Sequence, residues 1–315
     1  LYYHRDELSS YDSGEAKVVM NGWFTHRPEN WPPSEKVNPL FVAFHINSSA
    51  YTQLLSEESI SYLKKYEPIG CRDEVTAQLL RKHGVDAYFS SCLTTTLGYK
   101  YKNTEAERDK IYIVDPVHYV PEASSRFRKY LFLLYYIRHY KGINRYIKSL
   151  KENNKYNLKF NKKNISRFLS IVRSYIVLRQ ILTPKELEDA VILTQYHDSS
   201  EYPTNEQRFD RAEELIKMYS TAKLVITSRI HCALPCLGLE TPVLFLQNLD
   251  DSQESICRFQ GLLNLMHVIS FKKNKVVNSP FSLPVLSSLV TVKKDYRLYA
   301  DKLIDKVRSF FEKKP

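Results

Sequence analysis

Long apolar runs are missing from this chain, and so are several other features whose absence narrows its class. No stretch of the 315 residues approaches the roughly 20 consecutive apolar positions of a membrane span, so no spanning helix is expected. No secretory signal peptide is visible. The first residue is Leu1 rather than Met, and an N-terminal piece is expected to be missing. No internal repeat stands out. The five cysteines, Cys71, Cys92, Cys232, Cys236 and Cys257, are odd in number and sit inside apolar stretches; this fits reduced thiols and a cytoplasmic protein. Cys232 and Cys236 share one helix face, but no second Cys or His pair has matching spacing. They read as packing residues, and no metal site is expected.

What is present suits a globular protein of two domains. Hydrophobic residues make up 43% of the chain and charged residues 26%. The net charge of +11 is uneven. Residues 126–179 carry 15 Lys and Arg against one acid, Glu152, which gives +14; the 31 basic and 34 acidic residues elsewhere give −3. The positive balance therefore belongs to one segment, and no nucleic-acid-binding motif accompanies it, so nucleic acid is not an expected partner. Arg126–Lys151 has no internal Pro and reads as one helix that mixes bulky apolar with cationic side chains. Two readings fit: a helix packed in the core with solvated charges, or a helix lying on an anionic membrane, here the inner face of the plasma membrane.

Strands and helices alternate along both halves. Lys17–Met20 reads as a strand ending at Asn21-Gly22, and Pro28, Pro32, Pro33 and Pro39 make the following Trp-containing stretch irregular. Leu40–Ile46 and Val85–Phe89 read as strands and Ser56–Tyr66 as a helix. Asp73 caps a helix that starts at Glu74 and is stopped by Gly84. Ile111–Asp115, Ala190–Thr194 and Val268–Phe271 read as strands of a second domain, with helices at Phe209–Tyr219 and Tyr296–Phe311. This alternation predicts the α/β class, with parallel sheets covered by helices. The expected domains are 1–107 on the acceptor side, 108–292 on the donor side, and a C-terminal helix over 293–315 that crosses back to the first. In such sheets ligands bind beyond the carboxyl ends of the strands. Polar residues recur there: Asn21, His45, Arg72, Thr94, Asp115 and His118, His197, then Arg229 and His231.

The stretch Lys223–Leu246, KLVITSRIHCALPCLGLETPVLFL, carries the sharpest pattern. It reads as strand, turn, short helix, strand. A Ser-Arg-x-His cluster between a buried strand and a helix start is poor core material. The helix start offers backbone N–H donors to an anion, Arg229 offers a planar fork for carboxylate or phosphate, and His231 can change protonation near neutral pH.

Three stretches carry a family resemblance. IGCRDEVTAQLLRKHGVDAYFSSCLTTTL resembles the N-terminal signature of the polysaccharide pyruvyl transferases, and AKLVITSRIHCALPCLGLETPVLFL resembles their C-terminal signature. MNGWFTHRPENWPPSE and CRFQGLLNL are similar to further bacterial segments of that family. The resemblance implies two Rossmann-like domains in a glycosyltransferase-B-like arrangement, with facing parallel sheets and a central cleft. It also implies transfer of a pyruvyl group from phosphoenolpyruvate to sugar hydroxyls, forming a cyclic ketal in surface polysaccharide biosynthesis. The co-substrate is then phosphoenolpyruvate, with no tightly bound cofactor, and the acceptor a sugar or lipid-linked oligosaccharide. The family's Arg and His fall on Arg229 and His231, and its Arg-Asp pair on Arg72 and Asp73. One departure is Ser91, where the first signature usually has glycine.

On this reading Arg229, Ser228 and Arg72 bind the donor, His231 is the general acid, and Asn21, His45, Thr94 and His197 lie on the acceptor side. Two alternatives remain: a nucleotide-sugar-dependent glycosyltransferase of the same architecture, with Glu240 as its ribose-binding acid, and a non-catalytic sugar-binding member of an assembly complex.

Overall fold

Parallel strands must be joined by crossovers rather than hairpins, because each begins at the same edge of its sheet. The alternating pattern here folds into two such sheets, seen in a computed structural model that describes residues 3–23, 26–103, 107–117, 126–154, 162–197, 200–252 and 256–312, the side chains of 126–129 and 162–165 excepted. The chain divides into two compact units: Leu1–Thr96 with Asp251–Leu265 and Lys294–Pro315, and Leu97–Asp250 with Met266–Lys293. This division falls earlier than residue 107 and interrupts the expected 108–292 block. Local periodicity says nothing about which sheet a returning segment joins. Long-range contacts do: the Glu74 amide donates to the Gln260 carbonyl at 3.1 Å, and Gly261 packs against the Phe89 ring.

The first unit holds a four-stranded parallel sheet in the order β1 (Ala16–Trp23), β2 (Val37–His45), β3 (Ile69–Cys71) and β4 (Ala87–Phe89). α1 (Tyr51–Leu54) and α2 (Glu57–Lys64) cross from β2 to β3, and α3 (Glu74–Lys82) crosses to β4. Ser56 caps α2 and Asp73 caps α3, each accepting from the third amide beyond. Two local expectations are corrected. β1 does not end at Met20; it runs to Trp23, and Asn21 sits exposed at a register irregularity between Met20 and Gly22. Pro39 does not interrupt structure either. It lies within β2 opposite Val18, where β3 has not yet joined, so its missing N–H falls on an open edge. Phe41, Phe44, Leu63, Ile69 and Leu80 fill the core. Trp31 is buried there too, stacked on Phe44 at 6.1 Å, as a packing residue.

The second unit begins with α4 (Gly98–Tyr101) and builds a six-stranded sheet from β5 (Ile111–Val114), β6 (Val191–Leu193), β7 (Leu224–Thr227), β8 (Val243–Asn248), β9 (His267–Lys272) and β10 (Lys275–Asn278). Its order is β10-β9-β8-β7-β5-β6, and only the β9–β10 pair is antiparallel. β10 lies beyond the expected last strand. Its two-residue turn, Lys273–Asn274, has positive φ at both positions, the twist a tight hairpin requires. Numbered from β5, the first five strands run 2-1-3-4-5 across the sheet, so chain direction across the sheet reverses between β5 and β7.

The basic segment forms α5 (Arg126–Arg138), α6 (Tyr140–Glu152) and α7 (Lys162–Ile181). The single helix expected over Arg126–Lys151 is thus two, broken at His139. α8 (Pro184–Asp189), α9 (Asn205–Ser220) and α10 (Ile230–Gly238) follow, and α8 and α9 open with capping boxes. Phe132, Ile143, Leu150, Val172 and Leu178 join the strands in one core. Phe209, expected on the inner face of α9, is exposed. The last helix, α11 (Arg297–Glu312), belongs to the first unit, with Tyr299 edge-on to Phe89 at 5.1 Å. No helix among the described residues is long and apolar enough to cross a membrane.

Candidate functional site

The reversal between β5 and β7 leaves the carboxyl ends of these two strands without a helix between them, and this is where open α/β sheets bind ligands. Val114 pairs with Thr227 and Leu193, so the next residues of three strands converge: Asp115, Thr194 with Gln195, and Ser228 with Arg229. Asp115 ties them together. Its Oδ1 accepts from the Thr194 hydroxyl at 2.7 Å, and its Oδ2 accepts from the Gln195 amide at 3.0 Å and Arg229 Nε at 3.1 Å. Its carbonyl accepts from the Ser228 hydroxyl at 2.7 Å. The backbone of Asp115 has φ +42, a left-handed conformation uncommon outside Gly, Asn and Asp.

Ser228, expected on the donor side, donates its hydroxyl hydrogen bond to the Asp115 carbonyl. Asp115, a minor candidate by sequence, is the residue that orients Arg229. The only sequence signal was an acid directly after a buried apolar strand. His118, its companion in the sequence reading, lies outside the described residues.

Arg229 takes the N-cap position of α10 with no side-chain cap, and His231 stands exposed in the first turn. The Cys232 and Ala233 amides both point back to the Arg229 carbonyl, each at 3.0 Å. Pro235 lies inside α10 and supplies no N–H to the His231 carbonyl four residues back. The apolar remainder, Cys232 to Gly238, is buried, so the polar start of the helix is held by a rigid, packed stem. Gly98 of α4 lies so close to Gly238 that no side chain fits there.

The first unit carries its own polar cluster at the ends of β2 and β3. His45 closes β2, and its Nδ1 lies 2.6 Å from Asp73 Oδ2 and 3.2 Å from the Thr76 hydroxyl. Asp73 Oδ1 caps α3 by accepting from the Thr76 amide and hydroxyl, both at 2.9 Å. Burial lowers the pKa of His45 and outweighs the Asp73 hydrogen bond, which raises it; the Arg72 charge lowers it further. His45 is thereby held neutral. Arg72 is only 6% exposed, its Nε has no hydrogen-bond partner, and the nearest carboxylate oxygen, on Asp73, is 3.8 Å away. Burial lowers its pKa as well, with Asp73 opposing. A buried guanidinium with an unsatisfied Nε is costly unless a ligand completes it. Arg258 is electrostatically coupled to both His45 and Arg72. Sequence reasoning missed it because the CRFQGLLNL stretch reads as part of the second domain.

Ser91 follows in the adjoining loop with φ +64, completely buried and with its hydroxyl unpartnered. This is the position where glycine is usual in the signature. The other sequence candidates are dispersed. Thr94 donates to Cys92 Sγ at 3.2 Å. His197 is exposed, near the Gln195 carbonyl at 3.3 Å and edge-on to Tyr202. Glu240 lies at the C-terminal end of α10, away from its polar start, and pairs with Lys102; it is not at the carboxyl edge of the sheet where a ribose-binding acid is needed. Cys232 and Cys236 are buried in α10, and no group of acids, His and Cys among the described residues has the arrangement of a metal site.

A family model described as polysaccharide pyruvyl transferase matches residues 4–251, most of the 315-residue chain. No curated protein and no solved structure matches it.

Proposed function

We propose a donor and a mechanism for this chain, which belongs to the polysaccharide pyruvyl transferase family: it transfers a pyruvyl group from phosphoenolpyruvate to two hydroxyls of a sugar acceptor, in a two-domain enzyme of glycosyltransferase-B-like arrangement. The observation that carries the reading is the Asp115–Arg229 pair at the topological switch point, beside the start of α10. Phosphoenolpyruvate has a carboxylate and a phosphate, so it needs cationic and N–H donors. Arg229, held in plane through its Nε, is proposed to grip one of these anions, with the α10 start contributing its dipole. Ser228 acts by fixing the turn and keeps only acceptor capacity. Arg72 is proposed as an anion ligand of the first unit, on the strength of its buried, incompletely bonded guanidinium.

The proposed chemistry balances without a cofactor. His231 gives a proton to the methylene carbon, and the positive charge develops on the adjacent carbon that bears the phosphate oxygen. One acceptor hydroxyl attacks that carbon and loses its proton, which restores His231. The second hydroxyl then displaces phosphate, which leaves with the remaining proton, and the ketal closes. His45, hydrogen-bonded to Asp73, is kept as an acceptor-side candidate without a proton-transfer role, and so are Asn21, Thr94 and His197.

A catalytic role for His231 is worth about 10²–10⁴-fold in rate. His231→Ala should keep the far-UV spectrum of the parent and lose phosphate release from phosphoenolpyruvate in the presence of acceptor. Turnover near the parent value would remove His231 from the mechanism. Calorimetric titration with phosphoenolpyruvate against a panel of nucleotide sugars separates this reading from the glycosyltransferase alternative.

A further inference from the structure

We propose that the outward face of α5 docks this protein on an anionic lipid surface. The inference goes beyond the transferase reading and does not depend on it.

A helix buried on one side ordinarily carries polar residues on the other, whereas the exposed side of α5 is mainly apolar. Its inner side packs Phe132, Tyr135 and Tyr136 against the second unit's core, with Tyr136 edge-on to Phe168 of α7 at 5.2 Å. Its outer side presents Tyr130, Leu131, Leu133, Leu134 and Ile137, which are 57%, 47%, 49%, 44% and 60% exposed. At about 100° per residue these five fall within an arc of roughly 160°. Tyr140, at the start of α6, is 49% exposed beyond them. A contiguous apolar patch of this kind marks a surface that meets a protein or a membrane.

Charge selects the membrane. Arg138 lies inside the same arc, and Lys141, Lys148 and Lys151 are exposed along α6. The only acid from 126 to 179 is Glu152, which sits 3.7 Å from Lys148. Lysines are depleted from protein interfaces because their ammonium groups resist desolvation. At a bilayer surface both demands are met: Leu and Ile enter the acyl boundary, Tyr sits at headgroup depth, and Lys and Arg stay among lipid phosphates. Each cation close to an anionic leaflet contributes about five-fold in partitioning.

The test uses the whole chain and sedimentation with vesicles of phosphatidylcholine, with and without phosphatidylglycerol. The parent should bind the phosphatidylglycerol vesicles, bind the neutral ones at least ten-fold more weakly, and lose affinity as salt rises. Leu133→Gln with Ile137→Gln removes two exposed apolar side chains, so folding should be unaffected; it should weaken vesicle binding more than ten-fold and leave the circular dichroism spectrum unchanged. A separate set, Lys141→Gln with Lys148→Gln and Lys151→Gln, should weaken binding to anionic vesicles alone. The proposal is overturned if the parent does not bind phosphatidylglycerol vesicles at low salt, or if the Leu133/Ile137 variant binds them like the parent. It is also overturned if light scattering shows a dimer that the Leu133/Ile137 variant abolishes while vesicle binding is absent, since the face would then be a self-interface.

Discussion

Changing Asp115 to Asn alters one oxygen and tests whether this residue sets the donor-binding geometry of Arg229. Asp115 Oδ1 faces a hydroxyl. Oδ2 faces two N–H donors, the Gln195 amide at 3.0 Å and Arg229 Nε at 3.1 Å. In Asp115→Asn the amide can turn its NH₂ to the Thr194 hydroxyl, which can also accept, so both N–H donors keep an oxygen that has lost its charge. A neutral hydrogen bond contributes about 1 kcal/mol net and one to a charged group about 1.5–3 kcal/mol. The Asp115 and Arg229 side chains are 15% and 26% exposed, so water replaces part of what is lost, and a total near 2 kcal/mol is expected. If about 1–2 kcal/mol of this reaches the guanidinium's hold on the donor, phosphoenolpyruvate binding weakens by roughly 5- to 30-fold. Isothermal titration reads this directly, with thermal melting to confirm a folded protein. The decisive comparison is a double-mutant cycle with Arg229→Gln. Once Arg229 is gone, Asp115→Asn should have little further effect on donor affinity. An equal loss in both backgrounds would refute the idea that Asp115 works through Arg229.

Three further outcomes follow from packing and burial. Ser91 is a non-glycine residue at φ +64 with an unpartnered buried hydroxyl, so Ser91→Gly should raise stability by about 1 kcal/mol in urea denaturation; a loss would mean the hydroxyl has a role. Gly98→Ala would drive a Cβ into the Gly238 carbonyl oxygen, where backbone cannot yield cheaply. It should destabilise the second unit by about 1–3 kcal/mol and shift α10, measurable as a lower melting temperature together with weaker donor binding. His45 has a folded pKa below its ordinary 6.5 because it is buried. The unfolded chain therefore takes up this proton first, so the stability it supports is present above about pH 6.5 and is lost as pH falls through its lower folded value. The difference in stability between the parent and His45→Asn should shrink as pH drops from 7.5 to 5.5; a difference that grows would mean the Asp73 ion pair outweighs burial.

The family and the α/β class were legible in the residues, since each rests on local order. β-branched runs, helix caps and a polar cluster before a helix are all read within about ten positions. Asp73 as a cap and the Arg229 position at a helix start belong to this class. The rest depended on contacts between distant positions. Asp115 and Arg229 meet only because β5 and β7 lie side by side, with β6 placed outside them. Arg258 joins the His45–Arg72 cluster only because Asp251–Leu265 folds back into the first unit. Pro39 is tolerated because β2 is still an edge there. The exposed apolar face of α5 also needed the fold, because the stretch 130–137 is apolar all round and periodicity cannot say which side of it is buried.

By itself, then, the amino-acid order determined the kind of elements, their alternation and the chemistry offered at one turn, because hydrogen bonding and side-chain period act over a few residues. Only the tertiary structure decided which turn residues hold one another. Ser228 and Arg229 meet Asp115 through strand adjacency, a relation between positions more than a hundred residues apart that no local pattern encodes.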